Sequence, residues 1–215
     1  MKQMSETKRF ISPKGELEWV TISGEGKENL SGKMQYVANV VIEADDPIIK
    51  EIEEFWEANK PAGFKKDAKS LGIYPHKADT GEKDEDGKAI YEEDGKSYLA
   101  FKTGVTFADG KQKVVKVYNA KGKQVSLPDS VGIGNGSIGA IGGAIGIYTT
   151  TGPKGNILDA GVTLYLNSVK IYKLEEFTGQ EDFAEDPDAE GWTGEDDSFE
   201  GEALDSDESK AKPRL

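Results

Sequence analysis

Apolar and polar residues alternate with a period of two along most of the chain, and only one stretch repeats at helical spacing. From Glu16 to Ile22, Leu17, Trp19 and Thr21 share one face and Glu18, Val20 and Ile22 the other, which predicts a first strand. Residues 1–14 ahead of it are polar and predicted to be loose, and Ser23 to Gly32 reads as a turn-rich loop. Lys33 to Ile42 predicts a second strand, with Tyr36, Ala38, Val40 and Ile42 on one face. Asp46-Pro47 then opens the helix. Asp46 is a good N-cap, and Pro47 fits the first helical position, where its missing N–H costs nothing. Ile48, Ile49, Ile52, Phe55 and Trp56 recur at helical spacing, and the helix ends near Asn59, before Pro61.

Residues 60–96 read as a long charged connection of the functional or mobile kind. Strand character resumes from Ser97 to Phe107, with Leu99, Phe101, Thr103, Val105 and Phe107 on one face and Tyr98, Ala100 and Lys102 on the other. Ala108 to Lys111 is a hairpin turn, Lys113 to Asn119 its return strand, and Ala120 to Lys123 turns again. Between Val131 and Tyr148, Ile141, Ile145 and Ile147 face a bare side made largely of Gly and Ala, the mark of a strand whose backbone something approaches closely. After a turn over Thr149 to Asn156, the last strand runs from Gly161 to Leu174. Its alternation changes parity between Leu166 and Val169, which predicts a bulge near Asn167-Ser168. The sum is a mainly β chain: a five-stranded OB-type antiparallel barrel with one helix between strands two and three. Other small β barrels carry the same pattern.

Charge adds a second part. Of the 40 acidic and 27 basic residues, 16 acids and three bases (Lys210, Lys212 and Arg214) lie after Leu174, leaving 24 of each before it. A block of like charge with few aliphatics cannot offset its ordering entropy, so residues 175–215 are expected to be a disordered acidic tail on a neutral domain of residues 1–174. The absence of cysteine excludes disulfides and thiolate metal sites. A single histidine, His76, expected in an exposed loop, leaves no credible catalytic set, so neither an enzyme nor a cofactor or metal is expected. No apolar run is long enough for a signal or membrane segment.

Two motifs invite over-reading. Gly134 to Gly139 has dinucleotide-binding spacing, but the Ala-Ile-Gly-Gly run that follows is a poor helix, and that motif needs one. Glu82, Asp84, Asp86 and Glu93 approximate a calcium loop without its entering helix and read as a solvated acidic loop. The interleaving of aromatics and lysines is more informative: Tyr98 with Lys102, and Lys116 with Tyr118, while Trp19, Lys33 and Tyr148 stand near strand ends. Single-strand binders use this pairing because aromatics stack on unpaired bases and lysines track phosphates. A duplex reader would carry a basic body, whereas residues 1–174 are neutral with one arginine, Arg9. A groove of this kind also attracts the acidic tail, which can compete with DNA and offer itself to partners. An oligomeric interaction protein with a solubilising tail is the alternative; an inhibitory acidic DNA mimic is a third.

The order of these elements resembles the single-stranded DNA-binding proteins of tailed phages, the OB-fold kind with an acidic tail found in podophage replisomes. The residues that carry the likeness are Tyr36 through Ile42 with Asp46, Pro47 and Ile52, the Phe101-Lys102 strand ending at Phe107, the Lys121-Gly122-Lys123 turn, and Leu166-Asn167-Ser168-Val169 running into the tail. The resemblance implies protection of single-stranded DNA in replication, recombination and repair in the cytoplasm of an infected bacterium. It further implies a homodimer and recruitment of a DNA polymerase and a helicase/primase through the tail. Lys102 matches a DNA-facing family lysine. The family's aromatic contact loop falls on Gly152 to Gly155, where Lys154 stands and no aromatic does, leaving Tyr148 as the substitute. The candidate DNA-contacting set is Trp19, Lys33, Tyr36, Tyr98, Lys102, Lys113, Lys116, Tyr118, Tyr148 and Lys154, with Phe183, Trp192 and Phe199 as partner contacts in the tail.

Overall fold

The computed structural model describes residues 7–128 and 131–177. The tail aromatics Phe183, Trp192 and Phe199 lie outside them. In chain order the elements are β1 (Lys8–Ile11), β2 (Gly15–Thr21), β3 (Lys27–Glu28), β4 (Met34–Glu43), α1 (Pro47–Asn59), β5 (Ile73–Lys83) and β6 (Ala89–Gly104). Then come β7 (Lys116–Tyr118), β8 (Gln124–Val125), β9 (Gly132–Ile133), β10 (Ser137–Thr151), β11 (Ile157–Lys173) and β12 (Glu176–Phe177). The described residues are mainly β with one helix, as expected, but they hold twelve strands rather than five.

Five of the strands pair in a closed circuit: β10 with β2, β2 with β4, β4 with β6, β6 with β11, and β11 back to β10. The expectation of antiparallel pairing throughout is corrected, because β6 and β11 run parallel. Directions cannot alternate all the way round a ring of odd number, so one neighbouring pair has to be parallel. Leu17, Tyr36, Val40, Leu99, Phe101, Ile141, Ile145, Leu164, Leu166 and Val169 fill the interior, which is why these strands read so clearly.

The helix forms where the pattern places it. The Asp46 carboxylate accepts the Ile48 N–H at 2.9 Å, Pro47 occupies the first turn, and Ile52 and Trp56 are buried on the strand core. Trp56 meets Phe64 edge-on at 6.0 Å, extending the core into the segment after the helix. The bulge expected near Asn167 is also present: Gly142 faces Ser168 and Gly143 faces Leu166, so Asn167 is unpaired. Beside it the bare strand serves close approach. A Cβ on Gly143 would overlap the Tyr165 carbonyl oxygen, and one on Gly139 would overlap Leu17. The approach is made by the chain's own β11 and β2.

Other expectations are corrected. Residues 1–14 contain β1, held on β10 with Phe10 buried; four residues with one apolar inward position give too short a pattern to see. The connection over residues 60–96 holds β5 and the start of β6, a two-stranded ribbon with mostly exposed residues on both sides. A ribbon without a buried face has no apolar alternation. The return strand after Gly110 bonds back to β6 only near Thr106–Gln112 and Lys113, then leaves it to run parallel to β11 as β7. The Ser23 to Gly32 loop contains the short β3, and the Val131 to Tyr148 stretch divides into β9 and β10. Beyond Leu174 the chain still pairs, β12 with β9.

Candidate nucleic-acid interface

Residues directly opposite one another on neighbouring strands project to the same side. The outward row of β6 is Tyr98, Ala100 and Lys102, facing Val41, Asn39 and Val37 of β4. On the other side Tyr74 of β5 is the register partner of Tyr98, and their rings stack at 5.4 Å and 27°. Tyr74 donates to or accepts from Ser70 Oγ at 2.8 Å, which fixes its ring. Burial, then the neighbouring Tyr74 and Glu18, raises the pKa of the Tyr98 phenol, so it stays neutral. A small pocket of about 80 Å³ between Tyr74, Lys102 and Tyr148 continues this row.

Past Tyr98 the row opens into a cleft of about 900 Å³ with Trp19, Tyr74, Tyr91 and Tyr98 on its walls. Trp19 is 53% exposed and holds φ 51, the one non-glycine in the left-handed region among the described residues. A tryptophan there is strained by about 1–3 kcal/mol and persists only where its surroundings impose it. Here the Asn135 carboxamide accepts the Trp19 N–H at 2.8 Å, and Lys27 lies 6.0 Å from the indole. The strain breaks the expected alternation of β2 and turns the indole outward.

His76 belongs to the same cleft and corrects the expectation of an exposed loop residue, being 7% exposed. Its Nδ1 lies 2.9 Å from Asp94 and its Nε2 3.1 Å from Glu18. Burial disfavours the imidazolium, but the hydrogen bonds and charges of the two carboxylates outweigh it and raise the pKa above the ordinary value. The partners sit 58 and 18 residues away, a pairing the sequence does not reveal. Glu16, Asp79 and Glu93 also line the cleft, so its carboxylates outnumber its two lysines, Lys77 and Lys96.

The candidate contacts separate into groups. Lys102 and Tyr148 line the small pocket with Tyr74, whose ring stacks on Tyr98, and Trp19 lines the larger cleft with Tyr74 and Tyr98. Lys33 is exposed in the turn leading into β4, and Lys154 is exposed in the turn joining β10 and β11. Tyr36 is corrected: at 1% exposed it is core, its hydroxyl donating to the Gly24 carbonyl at 3.1 Å and accepting from Gln112 at 3.0 Å. Lys113, Lys116 and Tyr118 line a different cleft. Sequence reasoning missed Tyr74, Tyr91 and Asn135, which lie in a ribbon and a turn without any distinguishing pattern. Gly134 to Gly139, with its dinucleotide-like spacing, passes from turn to β10 with no helix after it.

No protein-family model matches the sequence, and no curated protein does. Solved structures do. One is gp2.5, a single-stranded DNA binding protein encoded by bacteriophage T7, at 24% identity and TM-score 0.50, covering 82% of this chain and 92% of that one. Another is a C-terminal truncation of the single-stranded DNA-binding protein from bacteriophage Enc34, at 16% identity and TM-score 0.52, covering 79% and 88%. The chain shares the fold of these phage proteins.

Proposed function

We propose that the chain binds single-stranded DNA without reading its sequence, in the replication of a phage genome. The five-strand circuit is taken as an OB-type barrel, a fold that presents oligonucleotide-binding strand faces. One observation carries the reading: Tyr74 of the Tyr74–Tyr98 stack lines one pocket with Lys102, and Tyr98 and Lys102 share the outward row of β6, an aromatic platform with a cation on the same face. Bases stack on the platform and phosphates follow Lys102, with exposed Lys33 and Lys154 as further cations at opposite strand ends. The acidic tail competes for this face when DNA is absent and recruits replication proteins, a polymerase and a helicase/primase, through Phe183, Trp192 and Phe199. Homodimer formation, roles in recombination and repair, and action in the cytoplasm of the infected host belong to the same reading. No catalytic role is assigned.

Titration of the full chain with oligo-dT, followed by tryptophan fluorescence, tests it. Saturable, salt-sensitive binding that exceeds binding to duplex DNA is expected, and its absence sinks the reading. Lys102→Ala should shallow the log K against log salt slope by about 0.7, the single-strand value per phosphate contact. Tyr98→Ala should weaken binding by about 1–3 kcal/mol with little change in that slope.

A further inference from the structure

The face formed by β1, β7, β10 and β11 carries a second groove, which shares no lining residue with the two pockets beside Tyr74 and Tyr98. Two clefts of about 730 and 300 Å³ meet at Tyr118, Asn167 and Ser168. Arg9, Lys14, Lys113, Lys116 and Lys170 line them, and among the described residues no carboxylate does. On a domain whose residues 1–174 hold 24 acids and 24 bases, five cations against none is a strong local departure. The groove is aromatic as well. Tyr172 is exposed between Lys14 at 4.8 Å and Lys170 at 5.1 Å, and Lys113 lies 5.2 Å from the Phe107 ring. Its floor is the bare side of β10, at Ala140, Gly142 and Ala144.

The two faces are joined. Arg9 is the register partner of Ala144, Ala144 of Tyr165, and Tyr165 of Lys102. These four positions form one outward row, so Arg9 lies three strand spacings from Lys102, about 14 Å along the sheet. We propose that this groove is a second strand-binding segment, and that one single strand runs from the Tyr98–Lys102 face across Tyr165 into it. An acidic peptide would use the cations and leave the aromatics idle, whereas a single strand uses both. Linking the two segments through one strand makes the second contact intramolecular, so the gain appears only with strands long enough to reach both.

The inference rests on the single-strand binding proposed above, and an oligo-dT length series on the full chain separates the two. The salt slope should rise in two stages with length for the natural sequence. In the Lys14→Ala, Lys170→Ala double variant the second stage should shrink by about 1.4 for long strands, with short-strand binding unchanged. Arg9→Ala alone should lower only the second stage, by about 0.7. Superimposed length series for the natural and double-variant chains overturn the second segment while leaving the first intact. So does a double variant that loses short strands while Lys102→Ala keeps them, because the groove would then be the sole site. Failure of every strand to bind removes the underlying reading instead.

Discussion

Two neighbouring glycines on β10 provide an internal control for how this sheet is held. Neither Gly142 nor Gly143 has a positive φ, so alanine at either position is free of backbone strain and differs only in what its Cβ meets. At Gly142 the Cβ would lie 2.7 Å from Ser168 Oγ, the end of a side chain that can rotate away. The loss is then the long Ser168 hydroxyl bond to the Gly142 carbonyl at 3.4 Å, about 0.5–1 kcal/mol. At Gly143 the Cβ would overlap the Tyr165 carbonyl oxygen and lie 2.8 Å from its carbon, so backbone must move. Parting β10 from β11 by on the order of 1 Å at the bulge strains the ladder bonds on either side. With two bonds weakened at about 1 kcal/mol each and overpacking of about 1–3 kcal/mol, Gly143→Ala should cost roughly 3–5 kcal/mol. Urea denaturation of both variants measures the difference, expected to be about 2 kcal/mol or more. Equal midpoints for the two would refute the claim that close backbone approach, rather than glycine flexibility, is what β10 needs. Because Ala144, Tyr165 and Lys102 lie in one row across this seam, Gly143→Ala should also weaken strand binding.

Three further outcomes follow from particular contacts. The folded pKa of His76 is raised above the unfolded value near 6.5, so its pairing with Glu18 and Asp94 stabilises fully below that value and is lost as pH rises through the folded pKa. His76→Gln should therefore flatten the fall in stability measured by urea unfolding from about pH 5.5 to about pH 8.5. A fall of unchanged steepness in the variant would remove His76 as its cause. Asp46→Ala should cost about 1 kcal/mol through loss of the cap on Ile48, read by thermal or urea unfolding, with Asp46→Asn close to the natural chain. Tyr36→Phe should cost about 1 kcal/mol, since the hydroxyl joins Gly24 and Gln112 inside the fold, and should leave DNA affinity unchanged. A loss of affinity with full stability would return Tyr36 to the interface.

Much of the framework was legible from local chemistry. The helix could be read because its cap, proline and apolar spacing all act within one stretch of chain, and its Ile52 and Trp56 are buried where the pattern puts them. The central parts of β4, β6 and β11 could be read because one face of each is buried, and burial on one face is what writes alternation into a strand. Even the bulge at Asn167 showed itself, as a change of parity. Other features depend on partners distant in sequence, and no local pattern encodes these. The polar ribbon of β5 and β6 buries no face, Tyr74 meets Tyr98 only through its register, and His76 finds its carboxylates on two other strands. Tyr36 was placed on the binding face because alternation tells which residues share a side but not which side is inward. Lys116 and Tyr118 lie on β7, which pairs with β11 and lines a different cleft from Tyr98 and Lys102, a separation that no local pattern carries. Composition and spacing specified the strands; closure of the ring decided which of their faces meet solvent, and with it where a polyanion can lie.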